Sequence, residues 1–314
     1  MAKNAQTTDT ILMIRPASFK RNEQTAVNNY YQKFIRDISL ETIQQRAVTE
    51  FDSLVEKLRA KGINIIVVQD TPSPETPDSV FPNNWVSFHA NGEVWLYPMY
   101  AENRRWERRE DILARLEAEK FLIKNIIDYT AGEKENVFLE GTGSMILDRE
   151  NRKAYLARSP RSNEDLFIEF CEDFEFTPII FSAYQTVDNH RELIYHTNVM
   201  MCIADQYAII CLEIIENKKE KKLVKKLLEE DGKEMIMITE NQVNQFAGNM
   251  LQVQGREQKY LVMSTAAYHS LSKAQIRVIE KYNPIIHSDV STIETCGGGS
   301  VRCMMAEVFL PKAL

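Results

Sequence analysis

The chain has 314 residues, 44% of them hydrophobic and 26% charged, with a formal net charge of −7. That composition belongs to a globular protein with a sizeable core, and the length allows one large or two ordinary domains. The negative balance argues against a general binder of nucleic acid or of anionic membranes, and no apolar run reaches the roughly 18 residues needed to span a bilayer.

Residues 1–9 carry no signal-peptide apolar region, and residues 1–10 are expected to be a flexible N-terminus. Residues 11–16 read as a short strand ended by Pro16. Over 40–60, Leu40, Ile43, Ala47, Phe51, Leu54, Val55 and Leu58 recur at three- and four-residue spacing, which predicts a helix with one apolar face, closed by Gly62. Residues 63–68 form a continuous apolar strand. Pro72, Pro74 and Pro77 then make a stiff loop. A hairpin follows over 80–97, turning at Asn91-Gly92, the strongest short turn signal available. A helix over about 103–119 and a strand over 126–129 come next.

A second hairpin spans 137–157, with a polar turn at 148–153. A helix starts at about Asn163, whose side chain suits a cap, and a strand covers 178–181. The third hairpin runs over 194–203 and 207–215. The lysine-rich stretch 218–226 contains Leu223, Val224, Leu227 and Leu228 at helical spacing, so it reads as the solvated face of a helix. A strand (235–238), a hairpin (250–254 and 259–263), a helix (271–282) and a strand (285–287) precede the last segment. There Cys296-Gly297-Gly298-Gly299-Ser300-Val301-Arg302-Cys303 leads into an apolar run, 301–310, read as a buried strand.

The order strand, hairpin, helix recurs. Aligning the first strands of the hairpins brings one polar residue per unit into register: Asn84, Glu140, His196, Asn249 and Cys303, at intervals of 56, 56, 53 and 54 residues. Five ββαβ-like units of near-constant period predict an α/β fold, a five-bladed pseudo-symmetric propeller in one domain over 1–314. Closure removes sheet edges and makes equivalent positions converge on a central channel. Residues far apart in sequence then meet.

A cysteine near a histidine can ionise at neutral pH and act as a nucleophile. A carboxylate can orient the histidine or accept a substrate N–H. Each residue alone has a plainer reading. Cys303 can be a small buried hydrophobe, Glu140 a turn residue, His196 a satisfied core histidine and Asn249 a cap. His89, His190, His269 and His287 have no registered partner and are read as structural or surface residues. The cysteine count, Cys171, Cys202, Cys211, Cys296 and Cys303, is odd, which suits free thiols in a reducing cytoplasm. No Cys-x-x-Cys pair or His/Cys cluster has zinc spacing, so neither metal nor cofactor is expected.

The segment Gly297-Gly298-Gly299-Ser300-Val301-Arg302-Cys303-Met304 resembles the C-terminal motif of the arginine deiminase, or guanidino-group-modifying, superfamily, which has five-bladed α/β-propellers with a Cys/His/Glu-or-Asp site. The resemblance implies that Cys303, and not Cys296, is the nucleophile. Leu139-Glu140-Gly141-Thr142-Gly143 is similar to the acidic segment, and His196-Thr197-Asn198 to the histidine segment. Asp78-Ser79-Val80-Phe81-Pro82-Asn83-Asn84 resembles the substrate segment of the dimethylarginine dimethylaminohydrolases. Ser159-Pro160-Arg161-Ser162 resembles the segment whose arginine binds the substrate α-carboxylate. The similarity runs over about 11–311.

Guanidine deiminases usually carry acidic residues where this chain has Asn84 and Asn198. A guanidinium is cationic and only donates hydrogen bonds, so it suits carboxylates. A ureido group is neutral and offers a carbonyl, which an asparagine amide can serve. The set Phe-Pro-Asn-Asn-Trp, His-Thr-Asn and Gly-Gly-Gly-Ser-x-Arg-Cys also resembles the citrulline-utilisation hydrolases, taken to convert citrulline to ornithine, ammonia and carbon dioxide. On that resemblance Cys303, His196 and Glu140 are catalytic. Arg161 binds the α-carboxylate, and Asp78 the α-ammonium or a ureido N–H. Asn84 and Asn198 hold the ureido group, Asn249 lies in the binding set, and the Gly298 and Gly299 backbone serves the oxyanion. The alternatives are a guanidine hydrolase of the arginine deiminase or dimethylarginine dimethylaminohydrolase type, an amidinotransferase, or a non-enzymatic binder. The expected partner is a small amino-acid substrate, citrulline or a guanidino amino acid; a homo-oligomer is allowed.

Overall fold

The computed structural model describes residues 5–313. Among these are five three-stranded sheets of one design: an antiparallel pair, then a third strand parallel to the second. Four are contiguous in sequence. They comprise Val86–Phe88, Glu93–Leu96 and Asn125–Asp128; Met145–Asp148, Lys153–Ala157 and Thr177–Phe181; Met201–Ile203, Tyr207–Ile210 and Glu234–Met237; and Leu251–Gln254, Lys259–Ser264 and Ile285–Ser288. The fifth joins distant parts of the chain. Ala306–Glu307 pairs antiparallel with Thr10–Arg15, which pairs in parallel with Asn64–Gln69.

A parallel pair needs a crossover, and a helix supplies each one. These are Leu40–Ala60, Glu110–Ala118, Glu164–Asp173, Lys218–Glu230 and Lys273–Glu280. In the first, Ile43, Ala47, Phe51, Leu54, Val55 and Leu58 are the buried residues, the stripe that the spacing predicts; Ser39 caps its start by accepting from Thr42 N at 3.1 Å. Asn163 caps Glu164–Asp173 in the same way, accepting from Leu166 N at 2.9 Å. Lys218–Glu230 buries Val224 and Leu228 and exposes most of its lysines.

The first strand of each contiguous sheet is buried almost throughout, whereas the third strands are less so, Asn125–Asp128 being the most exposed. The first strands are therefore innermost. Neighbouring sheets touch along them: Ala306–Glu307 meets Val86–Phe88, Met145–Asp148 meets Met201–Ile203, and Met201–Ile203 meets Leu251–Gln254. The Gly141–Ser144 turn packs on Pro82–Asn84, and Gln254 N donates to Thr8 O at 3.0 Å.

Several expectations need correction. The run 301–310 is strand only over Ala306–Glu307, and Cys303 sits in a turn. Cys303, Met304 and Met305 each donate to the carbonyl three residues back, and Arg302 N donates to the Asn249 side chain at 3.0 Å. An unexpected helix, Ser291–Gly297, precedes the glycines. The helix over 103–119 divides into a 3₁₀ stretch, Glu102–Glu107, and Glu110–Ala118. A small hairpin, Tyr184–Val187 with His190–Leu193, is additional. Residues 1–4, expected to be flexible, lie outside the described residues. The expectation fails for 6–10: Gln6 is buried, donates to Leu147 O and Ile203 O and accepts from Arg149 N, while Thr10 begins a strand.

Candidate active site

The five aligned polar residues do not lie on the strands. They stand in the turns just ahead of the innermost strands: Asn84 and Asn249 two residues before, Cys303 three, Glu140 and His196 five. Such turns expose side chains at a sheet end without surrendering ladder hydrogen bonds. The longer lead of Glu140 and His196 carries them over the next turn. Gly143 leaves room for this, since a Cβ there would lie 2.3 Å from Asn84 Nδ2 and 2.8 Å from His196 Nδ1.

These turns enclose a small cavity. Asp78, Asn84, Arg161, His196, Gly299 and Cys303 line it, joined by Asn29, Phe81, Arg104, Tyr195 and Gly297. Glu140 lies behind His196, with Oε2 2.8 Å from Nε2. Both are buried. An ionised carboxylate only accepts hydrogen bonds, so the proton sits on Nε2 and Nδ1 keeps its lone pair. Burial, helped by the charges of Arg161 and Arg104, lowers the His196 pKa to about 4 although Glu140 pulls the other way. Glu140 is held well below the carboxylate range: burial opposes ionisation, but Arg161, His196 and Arg104 outweigh it. At neutral pH the pair is a carboxylate and a neutral imidazole.

The Cys303 thiol is buried and meets two amides. Asn249 Nδ2 stands 3.2 Å from Sγ and Asn198 Nδ2 3.4 Å. Asn249 Nδ2 also donates to Asn198 O at 3.1 Å. Gly299 lies alongside, where a Cβ would come 3.3 Å from Cys303 Cβ and 2.9 Å from the Phe81 ring. The expectation for Gly298 is corrected. Its N–H donates to Glu294 O at 3.0 Å, so it is not available to an oxyanion. Because a helix precedes it, Gly298 is a left-handed cap with φ of 64°. Its carbonyl accepts from the Tyr195 hydroxyl and, at 3.2 Å, from Asn29.

Arg161 and Asp78 face a segment that the sequence reading did not single out. Arg161 Nε donates to Asn28 Oδ1 at 2.9 Å and Nη2 to Thr25 O at 2.8 Å; Nη1 reaches Glu140 at 3.5 Å. Asp78 Oδ2 accepts from Asn22 at 2.8 Å and Thr25 at 3.0 Å. Asp78 Oδ1 is buried with no partner among the described residues, and burial raises this pKa. A buried acceptor without a donor is costly, so this oxygen is suited to an N–H from a ligand.

The largest omission is Arg104. Its guanidinium is buried, grips Glu107 through two bonds of 2.8 and 2.9 Å, donates to Asn84 Oδ1 at 2.8 Å and lies 3.7 Å from Glu140. The stretch Asn103-Arg104-Arg105-Trp106-Glu107-Arg108-Arg109 holds four arginines, and local pattern does not say which turns inward. Among the described residues no three His, Cys, Asp or Glu side chains cluster as metal ligands, and no helix is long and apolar enough to cross a membrane.

The family model described as N,N dimethylarginine dimethylhydrolase, eukaryotic, matches residues 15–310. The chain belongs to that family. It thereby stands within the guanidino-group-modifying superfamily. No curated protein matches the sequence significantly. Among solved structures, apo ArgZ, an arginine dihydrolase from the ornithine-ammonia cycle in cyanobacteria, aligns with a TM-score of 0.73 at 17% identity, covering 97% of this chain and 41% of that one. The chain thus spans about two fifths of ArgZ. The product-bound N-terminal domain of ArgZ aligns at 0.70 and 18% identity, covering 96% of this chain and 99% of that domain. A dimethylarginine dimethylaminohydrolase, solved as an adduct with 4-chloro-2-hydroxymethylpyridine, aligns at 0.62 and 15%, covering 95% and 98%. At these identities the likeness is one of α/β fold.

Proposed function

We propose that this family member is a cysteine-dependent hydrolase acting on the ureido group of citrulline, built as a single domain in which the five sheets close into a five-bladed propeller. The observation that carries the substrate reading is the lining of the thiol. Its side-chain partners are the amides of Asn198 and Asn249, and Asn84 beside it is tied to the Arg104 cation. Amide donors and a guanidinium suit a carbonyl that gains negative charge; they are poor company for a cationic substrate.

In this reading a carboxylate displaces Asn28 from Arg161, and the open oxygen of Asp78 takes the α-ammonium. Asn84 and Asn198 orient the ureido group. His196 Nδ1 receives the Cys303 proton, the sulfur attacks the ureido carbon, and the imidazolium returns the proton to the departing ornithine amine. That leaves a carbamoyl thioester. His196 then deprotonates water, whose attack releases the thiol and carbamate, the source of ammonia and carbon dioxide. Glu140 keeps Nε2–H in place and balances the imidazolium. The backbone of Gly299 is the remaining candidate to serve the oxyanion.

A second reading is favoured by the relatives' names, dimethylarginine hydrolase and arginine dihydrolase. A guanidinium hydrolysed once gives a ureido group, and hydrolysed twice gives the amine, so the same nucleophile serves both. Purified protein is incubated with citrulline and, separately, with arginine. Ornithine and ammonia from citrulline, with arginine inert, support the ureido reading. Citrulline accumulating from arginine, or turnover by Cys303→Ala at the wild-type rate, overturns it.

A further inference from the structure

The residues that follow the innermost strands form a second cavity. His89 follows Val86–Phe88, and Arg149 follows Met145–Asp148. Since Asn84 and Glu140 precede these same strands, this cavity lies at their other end, about 10–13 Å away by strand length. It has a volume of about 240 Å³. Two cations and three phenylalanines dominate its wall: Arg149, Arg152, Phe174, Phe176 and Phe309.

The guanidinium of Arg149 lies 4.1 Å over the Phe309 ring, and that of Arg152 lies 4.2 Å over Phe176. His89 stacks on Phe174 at 4.1 Å. It is kept neutral by its own burial and by the two arginines. Arg149 is only 7% exposed. Among the described residues neither guanidinium has a carboxylate within 4.0 Å or a side-chain hydrogen-bond acceptor, whereas nearby Arg302 has Glu307 at 2.9 Å. A guanidinium carries five donors, and here they are turned to the open cavity and not to protein acceptors; a ring face replaces only part of the hydration that partial burial removes. Cation–ring contacts and unmet donors in one cavity call for an anion with a flat apolar body.

We propose that this cavity is a binding site for a small organic anion: a carboxylate or phosphate borne on a single flat ring, with the oxyanion on Arg149 and Arg152 and the ring against the phenylalanines. A volume just under the usual range for ligand pockets fits a one-ring compound. The site is independent of the citrulline reading.

Calorimetric titration of the full chain with benzoate and with phenyl phosphate tests this, with benzamide (ring without charge) and inorganic phosphate (charge without ring) as controls. At least one ring anion is expected to bind at one site per chain, roughly tenfold or more tighter than either control. Which one binds tells carboxylate from phosphate. Arg149→Met abolishes that binding and melts close to wild type without ligand, because no ion pair or side-chain hydrogen bond within the chain is lost with this guanidinium. If that variant fails to fold, Arg152→Gln and Phe309→Ala decide by each weakening the ring anion. Arg161→Gln leaves binding unchanged. No binding by either ring anion at millimolar concentration, equal binding by the controls, or loss on Arg161→Gln with retention in the cavity variants overturns the proposal.

Discussion

Glu140→Gln is the most informative single change, because it alters one charge without altering shape. In the wild type the carboxylate accepts from His196 Nε2 at 2.8 Å and from Tyr100 N at 3.1 Å. A glutamine keeps the second bond through its carbonyl, but its NH₂ then faces the imidazole. The ring must reverse its tautomer and put a proton on Nδ1, which removes the lone pair proposed as base. The imidazolium formed during the reaction also loses its counter-charge. Two unit charges about 4 Å apart at an effective dielectric of about 20 interact by about 4 kcal/mol. Partial compensation by the amide brings the loss to about 3–4 kcal/mol, or roughly 10²–10³ in kcat. The fold should survive, since Arg161 keeps Thr25 O and Asn28 and Arg104 keeps Glu107. The assay is steady-state ornithine release from citrulline, with a melting curve alongside. A properly folded variant with kcat within about threefold of wild type would mean that Glu140 neither selects the tautomer nor supports the charge.

Asn84→Asp places a carboxylate against Arg104 and beside the reacting group. Citrulline kcat/KM should fall by roughly 10–100-fold while arginine turnover rises relative to it, and an unchanged ratio of the two would remove the amide from the specificity argument. Gly143→Ala drives a methyl into Asn84 Nδ2 and His196 Nδ1, so displacement of the imidazole should cost roughly 10²-fold or more in kcat with a small change in melting temperature; wild-type kcat is the contrary result. Acid should destabilise the protein between pH 6.5 and about 4. The folded-state pKa of His196 is depressed from 6.5 to about 4, so the unfolded chain binds the extra proton in that window. Stability present above pH 6.5 is lost as pH falls, by about 3 kcal/mol for this group. Urea titrations across the window should show that slope reduced in His196→Asn, and an identical slope would refute the assignment.

Where structure follows local pattern, it was legible. The apolar stripe of Leu40–Ala60, the Asn163 cap and the Asn91-Gly92 turn, with Gly92 at φ 93° and Asn91 Oδ1 accepting from Glu93 N at 3.1 Å, all depend on residues within a turn or two. The recurrence every 53–56 residues was legible for a different reason. Each unit repeats the same hairpin and crossover, so equivalent turns return at the same interval without any shared sequence. The misreadings occur where a distant residue decides. Ser291–Gly297 has β-branched residues early and an apolar Val290 at its cap position; Asp289 takes only Ser291 N, at 3.0 Å, and the Glu50 carboxylate, from another helix, accepts from Thr292 N at 2.9 Å and Ile293 N at 3.0 Å. Arg104 is drawn inward by Asn84 and Glu107 and not by any apolar periodicity.

The candidate site takes this dependence furthest. Asn249 binds Cys303 Sγ and Asn198 O through one amide nitrogen and holds Arg302 N with its oxygen. A single side chain therefore both fixes the turn that carries the thiol and supplies a donor to the thiol itself. The turn's own backbone bonds, from Cys303, Met304 and Met305 to the carbonyls three residues back, complete the hold. An asparagine 54 positions earlier thus helps to hold the cysteine in its turn. The same holds for His196, whose tautomer depends on a carboxylate 56 positions upstream. The candidate site is made of contacts between units. Spacing can align those units, but only side-chain geometry shows what each contact does.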